Sequence, residues 1–590
     1  MGENIDPTWL AFSGGARLDP GDVDARLRRV ERNYAALVDY PLATRRALSG
    51  RCGLAIVGDA DPRCRWPHFS EAADLAIATA HLPGGWSRLL AGSPSDTALR
   101  LARAVAEDPD RVIGTLSAPV AVAVLDRPEG GLTVINDALG AARVFSLEAD
   151  GWTLWSNRPG ALVLFAGVRP RADERGWQVL AAAGWLLADA SPIEGVRRLR
   201  PGTVIAVDPA GDVRRRESGA IGDLVRPAGD LDELAPPAAE QMAAQAREAA
   251  EMWPGAAHVD LSGGRDSRVI AAAIAAAGIE AQYRTSDATP GEAGVARQLI
   301  ELAPMSLEHR VGRTRPGSAS PGTPLLERAR NLHRLHDGVR HPQKLRGKMT
   351  LPRPRPERPK FSGHGGEIAH GFFYKSRGEI RRLRGRRRQL TRRVMRFFAQ
   401  GHDAALPEST SAAEAVVERT LDEGRELGLR GPPLLDWFYL VDRFAHRSGI
   451  ATDSERAALF AAPAVIAASF ALKPHERVAA RLHDELISRF VPEWQDVPYF
   501  KPTKARAARI RRERLWEVEA DAAVVEEILA DGGSWTETFG RERALAMWAE
   551  ARAGRARPKW ESLFEGIVYR ATFDRHLDEL GRAATASDRR

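Results

Sequence analysis

The fold is decided by the stretch Val259-Asp260-Leu261-Ser262-Gly263-Gly264-Arg265-Asp266-Ser267. The short apolar run from Ala257 to Leu261 predicts a buried strand, and Ser262-Gly263-Gly264 predicts a tight turn. An Ala- and Ile-rich helix is predicted from Ser267 to Ala277, and Gly278 is placed to end it. The stretch is therefore a strand-turn-helix unit of the kind that builds parallel sheets.

The chain continues in the same alternation. Ile279 to Thr285 predicts the next strand and Glu292 to Leu302 the next helix, which completes a βαβ unit. The segment from Thr314 to Lys360 is rich in Pro, Arg and His without a clear period, so we expect a long loop there. Beyond Leu406 the pattern is helical almost to the end of the chain.

The same stretch has the composition of a phosphate-binding loop. A strand that runs into Ser-Gly-Gly and then a helix surrounds an anion with backbone N–H groups and the positive end of the helix. Pyrophosphate suits such a site, with hydroxyl donors from Ser262 and Ser267 and a magnesium ion held by Asp266. The alternative is a tight turn with a capping Asp-Ser pair, but the full string in this context favours the phosphate site.

The first half of the chain has a different pattern. Between Gly114 and Val168, short apolar runs alternate with turn clusters, which predicts antiparallel sheet. From Val213 to Pro237 the composition becomes charged and contains Pro and Gly, so we expect a linker there. We therefore predict one domain over residues 1–225 and a second over residues 226–590.

Length and composition set the limits of these interpretations. A chain of 590 residues exceeds what one hydrophobic core usually organises, and 44% apolar with 28% charged residues excludes global disorder. The presence of only Cys52 and Cys64 excludes a disulfide framework or a structural zinc cluster and indicates a reducing compartment. No signal-peptide pattern and no membrane span of about 20 apolar residues is visible. We expect a cytoplasmic protein with no membrane partner.

The net charge of +7 is carried mainly by arginine, since the chain has only eight lysines. Ten arginines and a single acid, Glu379, lie between Arg377 and Arg396 in a predicted helix. Such a helix can follow the phosphates of RNA, but here no base-stacking aromatics are interleaved with the arginines. A solvated helix or a site for an acidic peptide partner is the simpler interpretation, and nucleic acid is not expected.

Two loops of this sequence resemble a known family. Leu261 to Ser267 resembles the pyrophosphate loop of the PP-loop ATPases, and more narrowly that of the asparagine synthetase superfamily, asparagine synthetase B class. Phe361-Ser362-Gly363-His364-Gly365-Gly366-Glu367 is similar to the family's second loop, a Ser-Gly-x-Gly-x-Asp-Glu string that closes over the phosphates and supplies a metal-binding carboxylate. In this sequence Glu367 stands at the Asp position, and Ile368 stands at the following Glu.

The resemblance implies a set of site residues. Asp266 and Glu367 would hold magnesium, and Thr285 falls near the family's adenine-facing strand position. Asp442-Arg443 and Glu455 lie in a region similar to the helical acceptor side of the family's site. The ATP-binding residues implied in this way are Leu261, Ser262, Gly263, Gly264, Asp266, Ser267, Thr285, Ser362 and Gly363.

The first half is similar to the family's N-terminal glutaminase-type sandwich, at Gly114 to Asp126, Asn136 to Gly140 and Arg200 to Thr203. Family members that hydrolyse glutamine use a cysteine directly after the initiator Met, whose own amino group is the base. Position 2 is Gly2, and the glutamine-binding Asn-Gly-Glu string is absent. Ammonia from glutamine is therefore not the expected nitrogen source.

One segment offers a rival start for an active glutaminase domain. Cys52 to Val57 resembles the beginning of those domains, which would require cleavage after Arg51. The simpler interpretation is an ordinary strand that begins with a buried cysteine.

The family's reaction is the activation of a carboxylate by ATP. An acyl-adenylate forms, pyrophosphate leaves, and an amine then attacks the acyl carbon to give an amide and AMP. The second step develops an oxyanion that needs a positive donor, in the family a lysine near the C-terminal end of the domain. Lys501 and Lys504 are the candidates here. His364, in the second loop, could act as the base for the amine or could simply bond the backbone. Glu455 is the further catalytic candidate.

The sequence thus predicts an α/β plus α+β protein. An Ntn-hydrolase-like antiparallel sandwich is followed by a PP-loop parallel-sheet domain with a helical C-terminal region. Loss of the cysteine with retention of the ATP loops resembles the lasso-peptide macrolactam synthetases and the β-lactam synthetases, whose substrate supplies the amine. We expect an ATP- and Mg²⁺-dependent synthetase acting on a small molecule or peptide that bears a carboxylate and an amine. An asparagine synthetase-like enzyme using ammonia, an RNA-modifying ATPase and a non-catalytic scaffold are the alternatives.

Overall fold

The first part of the chain is a sandwich of two antiparallel sheets. The computed structural model describes residues 7–60, 62–90, 94–287, 289, 291–312, 322–347, 349, 358–383, 387–398, 403–447, 456–501 and 513–586. The strands of the first part are β1 (Thr8–Gly14), β2 (Leu42–Ser49), β3 (Cys52–Asp59), β4 (Phe69–Glu71), β5 (Leu75–Thr79), β6 (Ala121–Asp126), β7 (Leu132–Asn136), β8 (Phe145–Ala149), β9 (Trp152–Ser156), β10 (Arg197–Arg198), β11 (Thr203–Val207) and β12 (Val213–Glu217). One sheet has the order β10-β8-β9-β1-β3-β2 and the other β12-β11-β7-β6-β5-β4.

The two sheets meet through a closely packed apolar interface. Large side chains such as Trp9 and Ile56 from the first sheet face small ones such as Ala78 and Ala123 from the second, and all four are buried. Helices α1 (Pro20–Ala35) and α4 (Pro159–Ala166) cover the outer face of the first sheet, and α2 (Pro94–Glu107) and α3 (Pro109–Thr115) cover that of the second. The antiparallel sheet expected in the first half is confirmed.

The linker expected from Val213 to Pro237 is wrong. β12 pairs with β11 along its whole length, and helix α6 (Ala220–Val225) follows it. Helix α7 (Leu231–Met252) begins before the prolines because Asp230 and Glu233 form a capping box at its start. The charged composition belongs to β12, an edge strand whose residues are all exposed.

The second part contains a parallel sheet, as the sequence predicts. Its strands are β13 (Ala257–Asp260), β14 (Ala281–Ser286), β15 (Glu308–Gly312), β16 (Lys360–Phe361) and β17 (Arg456–Ala457), in the order β15-β14-β13-β16-β17. Every neighbouring pair in this sheet is parallel. The carboxyl ends of the strands therefore meet at one edge, where open α/β sheets place their ligands.

Helices surround this sheet and make up the C-terminal region, which confirms its predicted helical character. Among the described helices, none is both long enough and apolar enough to cross a membrane. A π-helix spans Tyr439–Arg447. The remaining α-helices are α5 (Glu174–Ala183), α8 (Arg265–Ala276), α9 (Glu292–Leu302), α10 (Leu325–His336), α11 (Arg377–Arg382), α12 (Arg387–Phe398), α13 (Pro407–Glu426), α14 (Pro433–Phe438), α15 (Pro463–Ala471), α16 (Pro474–Val478), α17 (Arg481–Phe490), α18 (Glu519–Asp531), α19 (Arg541–Arg552) and α20 (Trp560–Thr585).

The long loop expected from Thr314 to Lys360 contains a helix, α10, and the expectation is wrong there. α10 packs against α20 and buries Arg328 and His333 along with its leucines. The guanidinium of Arg328 donates to Asp521 and to the carbonyl of Leu345, and His333 stacks on Tyr569 at 4.2 Å between ring centroids. Polar residues thus occupy core positions, which hides the apolar period on which the sequence prediction depends.

The predicted boundary after residue 225 falls between α6 and α7, but hydrophobic cores cross it. One core unites Ile113 and Val225 with Met242 and Val259. A second joins Leu10 of β1 to residues of α10 and α20 such as Phe573. The two parts therefore bury apolar surface against each other, in addition to packing within themselves.

His81 lies between the two parts and gives a prediction on acid stability. Burial lowers the pKa of His81 from 6.5 to about 3. A histidine that stays neutral in the folded protein but ionises in the unfolded chain stabilises the fold above pH 6.5 and loses that contribution as the pH falls. We expect the wild type to lose about 2 kcal/mol more unfolding free energy than His81→Asn between about pH 7.5 and pH 5. Urea titrations at both pH values measure this difference.

The matched control is His475→Asn, since His475 is an exposed histidine. This variant should lose the same unfolding free energy as the wild type over the same pH range. Parallel pH dependence of the wild type and His81→Asn would contradict the prediction.

Candidate functional site

The predicted phosphate loop lies at the carboxyl edge of the parallel sheet. It joins β13, in the middle of that sheet, to the start of α8, with Gly264 as the residue before the helix. The loop is held by its serines: the hydroxyl of Ser267 accepts from the N–H of Ser262 at 3.0 Å, and that of Ser262 accepts from the N–H of Gly264 at 3.1 Å. The two hydroxyl oxygens lie 2.8 Å apart. The loop therefore directs both hydroxyls and the positive helix end to one point.

The second glycine-rich loop presses directly on the first. A Cβ at Gly363 would lie 2.6 Å from the nitrogen of Ser267, and one at Gly366 would lie 2.2 Å from the Cγ of Asp266. Any larger residue at either position would overlap the start of α8. The two loops that the sequence analysis singled out are thus brought together, and glycine is what allows their close approach.

Asp266 is held by two histidines from different parts of the chain. The Nε2 atoms of His483 and His370 lie 2.8 Å and 3.5 Å from its Oδ1. Burial alone would raise the pKa of Asp266, but the hydrogen bonds from His370 and His483 outweigh it and hold this pKa well below its usual value. Asp266 is therefore a fixed carboxylate, and both histidines contact the same oxygen.

The loops border a cleft of about 470 Å³. On one side it is bounded by Arg284, Ser286 and Glu292 of β14 and α9, and on the other by the π-helix. Its volume is that of a small-molecule site. The lining residues are Asp260, Leu261, Ser262, Ser267, Arg284, Ser286, Glu292, Ser362, Gly363, His364, Gly365, Glu367, Tyr439, Arg443 and Phe444.

The π-helix end of the cleft combines a carboxylate, a phenol and a guanidinium. The hydroxyl of Tyr439 donates to Oε2 of Glu367 at 3.0 Å. Burial, and next the charge of Glu367, raise the pKa of Tyr439 well above 10, so the phenol stays a donor. The guanidinium of Arg443 stacks on Phe372 at 4.2 Å, and its buried Nη1 has no hydrogen-bond partner among the described residues. This end of the cleft can receive an anionic group.

Of the predicted ATP-binding residues, those that line the cleft are Leu261, Ser262, Ser267, Ser362 and Gly363, and those that do not are Gly263, Gly264, Asp266 and Thr285. Thr285 contacts the neighbouring strands instead. Its buried hydroxyl donates to the carbonyl of Leu261 at 2.7 Å and lies 2.9 Å from Nε2 of His309. It ties β14 to the end of β13, while Arg284 and Ser286 on either side of it line the cleft. Residues 284 and 286 face the cleft because alternate residues of a strand point the same way.

The remaining predicted residues lie around the loops to different degrees. Ser362 accepts a hydrogen bond from Arg456 at 2.7 Å, and His364 lines the cleft. Lys501 is exposed and follows Phe500, whose N–H donates to the carbonyl of Gly263 at 2.8 Å. Glu455 and Lys504 lie outside the described residues.

Sequence reasoning missed His370, His483, Tyr439 and Lys375. His483 comes from α17 and has no motif around it, so only the fold shows that it reaches Asp266. Lys375 follows the second loop and donates to the carbonyl of Gly371 at 2.8 Å. Burial lowers the pKa of Lys375, against the charges of Glu367 and Asp266, which raise it.

The carboxylates of Asp266 and Glu367 fit a magnesium ion that takes its other ligands from water and phosphate. In the described part of the chain, no cluster of three or more His, Cys, Asp or Glu residues has the arrangement of a metal site. Magnesium, however, keeps several waters and is bound by one or two carboxylates plus phosphate oxygens. Each of the two carboxylates accepts side-chain hydrogen bonds from described residues on one oxygen, Oδ1 in Asp266 and Oε2 in Glu367. The other oxygen of each carboxylate is left for a hydrated ion.

Cys52 has the surroundings of a structural residue. It lies in β3 between β1 and β2, where it pairs with Ser13 and Ser49, and its side chain is fully buried. Burial raises the pKa of the thiol, which makes it a poor nucleophile. A chain that began at Cys52 would also lack β1, a strand from the middle of the first sheet.

No protein-family model matches this sequence, and no curated protein matches it. Among solved structures, the chain is similar to one described as the allosteric regulatory enzyme of purine biosynthesis, at 11% identity and a TM-score of 0.25, over 53% of this chain and 82% of that one. It is also similar to glutamine phosphoribosylpyrophosphate amidotransferase from B. subtilis complexed with ADP and GMP, at 12% identity and a TM-score of 0.24, over 62% of this chain and 83% of that one.

Proposed function

We propose that this chain is an ATP-dependent synthetase that adenylates a carboxylate and transfers the acyl group to an amine. The observation that carries the proposal is the contact between the two glycine-rich loops. Gly363 and Gly366 fit against Ser267 and Asp266 with no room for a Cβ, at the carboxyl edge of a parallel sheet. Such an arrangement supports a site that encloses the phosphates of a nucleotide.

In this proposal, the cleft divides into a nucleotide end and an acyl end. The triphosphate lies on the Ser262 to Ser267 loop, with the base toward Arg284 and Ser286. The acyl substrate lies at the π-helix end, where the unpartnered Nη1 of Arg443 can orient an anionic group. This division agrees with the cleft extending from β14 past both loops to the π-helix.

The proposed chemistry has two steps. A carboxylate oxygen attacks the α-phosphorus of ATP, the bond to the β-phosphate oxygen breaks, and pyrophosphate leaves. The amine then attacks the acyl carbon and loses a proton, and AMP leaves with the electrons of the acyl-oxygen bond. His364, in the wall of the cleft, can accept the proton, and a lysine can stabilise the oxyanion of the second step.

Magnesium would be held by the free oxygens of Asp266 and Glu367, and when bound it neutralises phosphate charge. The histidines keep Asp266 ionised and oriented for this purpose. Tyr439 orients Glu367 through its hydroxyl, which donates to Oε2 of that carboxylate. In the proposal, these residues fix the two carboxylates before the nucleotide arrives.

We also propose that the amine belongs to the substrate, as in the formation of a macrolactam or another cyclic amide in specialised metabolism. The support comes from the first domain, in which Cys52 is fully buried within the first sheet. A glutamine-derived supply of ammonia needs a reactive thiol that this position does not provide. Free ammonia is the alternative amine, and a separate assay with ammonia as the amine tests it.

The test is carboxylate-dependent exchange of pyrophosphate into ATP across a panel of carboxylic acids and peptides. We expect Asp266→Ala to lower exchange and MgATP affinity about 30-fold, because a carboxylate that helps to hold magnesium is lost. Calorimetry measures MgATP affinity without any acid, so it does not depend on finding the substrate.

Asp531→Ala is the control, since this exposed aspartate at the end of α18 belongs to neither glycine-rich loop. It should keep wild-type affinity and exchange. Equal MgATP affinity and AMP release in the wild type and Asp266→Ala would refute the assigned loop. Amide formation with ammonia alone would favour an asparagine synthetase-like reaction over an amine within the substrate.

A further inference from the structure

A second concave surface lies outside the cleft and carries a strong positive charge. It is an open groove of about 820 Å³ between α11, the start of α14 and the start of α16. We call it the basic groove. It is lined by Arg377, Ile380, Arg381, Arg430, Gly431, Pro432, Pro433, Lys473, Pro474 and His475.

Three cations of the basic groove form no ion pair within the described part of the chain. None of its lining residues is a carboxylate. Arg377, Arg381 and Lys473 are exposed, and their side chains form no ion pair with any residue that the structure describes. Clustered like charges repel one another, and an anionic partner removes that repulsion.

Other arginines of the same basic segment are already used within the fold. Arg387 pairs with Glu418 and Asp422 of α13, and Arg393 pairs with Glu379. The sequence predicts a single helix for the arginines from Arg377 to Arg396. The structure separates them into two helices, and only α11 faces the groove.

Part of the lining of the basic groove is apolar. It consists of Ile380 and three prolines, Pro432, Pro433 and Pro474. No Phe, Tyr or Trp lines it, so it offers no platform on which nucleic-acid bases could stack. An apolar side chain can pack against these residues, and proline cannot donate the backbone hydrogen bonds that would pair an added strand.

We propose that the basic groove binds an acidic peptide segment in which carboxylates flank an apolar side chain. The carboxylates would pair with Arg377, Arg381 and Lys473, and the apolar side chain would cover Ile380 and the prolines. Arg477 of α16 donates to the carbonyl of Ile368 at 2.8 Å, so one wall of the groove is tied to the second glycine-rich loop. Binding in this groove does not depend on the reaction in the cleft.

The test is fluorescence anisotropy with a labelled peptide of about ten residues that alternates Glu and Asp with Leu and Phe. The full-length protein is titrated without nucleotide. We expect saturable binding that weakens between about 50 and 300 mM salt, because the groove is exposed to solvent. The same peptide with Gln and Asn in place of its acids should not bind.

Two charge-reversed triple variants locate the site. R377E/R381E/K473E should weaken binding about 30-fold, since three attractions become repulsions. R388E/R392E/R396E changes the same amount of charge on the exposed face of α12 and should stay within about threefold of wild type. The neutral variant R377Q/R381Q/K473Q should fall between the wild type and the reversed variant. Circular dichroism confirms the fold of each variant.

Equal weakening by the two reversed triple variants would overturn the proposal, because it would show attraction to net charge alone. Tighter binding of a labelled RNA of equal length would also overturn it, in favour of a nucleic-acid site. An unchanged peptide affinity in R377Q/R381Q/K473Q would also overturn the proposal, since the cations of the groove would then not contribute to binding.

Discussion

Replacing Gly366 by alanine is expected to lower carboxylate-dependent pyrophosphate exchange about 100-fold. The new Cβ would lie 2.2 Å from the Cγ and 2.5 Å from the Cβ of Asp266. These atoms lie close to the backbone of α8, and the end of the side chain is bonded to His483 and His370, so Asp266 cannot turn away freely. Either the second loop or Asp266 must move, and both lie at the proposed phosphate site.

The backbone at Gly366 does not itself require glycine, because its φ lies outside the positive range. The expected loss is therefore steric, which makes a Gly→Ala control informative. Gly219, with a φ of −72° and nothing within 4 Å of an added Cβ, is the matched position. Gly219→Ala should exchange within about twofold of the wild type.

Far-UV circular dichroism and MgATP calorimetry separate local from global damage in Gly366→Ala. We expect native secondary structure with weakened MgATP binding. Wild-type exchange and affinity in this variant would show that the second loop can move away from α8 without loss. The proposed enclosure of the phosphates would then be wrong.

Local patterns made much of the parallel-sheet region predictable. The helix expected from Glu292 to Leu302 has those bounds in the structure, and Gly278 has the positive φ of 69° expected of a residue that ends a helix. Strand, turn and helix signals there lie within a few residues of one another. The turn from Ser262 to Gly264, between β13 and α8, could be predicted for the same reason, since its composition and its context are both local.

The parts that sequence reasoning missed depend on long-range contacts. His483 meets Asp266 across 217 positions, and Tyr439 meets Glu367 across 72. No spacing rule connects such residues, because the distance between them is set by how helices pack on the sheet. The sequence pattern does not predict helix α10 for a related reason. Arg328 and His333 occupy core positions, and their hydrogen-bond partners come from other elements.

The second large effect is expected on amide formation, from loss of the proposed oxyanion donor, Lys501 or Lys504. The segment before Lys501 is fixed to the first loop: Phe500 donates to Gly263, and Arg268 of α8 donates to the carbonyl of Pro498 at 3.1 Å. A Cβ at Gly263 would lie 2.4 Å from the Cβ of Phe500, so the segment touches the loop. Lys501 therefore begins beside the proposed phosphate loop, where we propose that its ammonium group stabilises the oxyanion.

We expect Lys501→Ala or Lys504→Ala to lower amide formation by about 100-fold to 1000-fold while exchange of pyrophosphate into ATP persists. The split arises because the oxyanion develops only when the amine attacks, after the adenylate has formed. Exchange reports the first step, and chromatography of the amide product reports both. Lys559→Ala, an exposed lysine before α20, should change neither quantity.

The variant Lys375→Ala tests whether Lys375, instead of Lys501 or Lys504, is the oxyanion donor. Lys375 follows the second loop and interacts with the charges of Glu367 and Asp266. Because these two carboxylates belong to the proposed magnesium and phosphate region, its loss should impair exchange and amide formation together. If Lys375→Ala alone lost amide formation with exchange intact, and Lys501→Ala and Lys504→Ala kept full turnover, the oxyanion donor would be Lys375. The acyl carbon would then face the second loop, and the segment from Pro498 to Lys501 would serve only to hold the first loop in place.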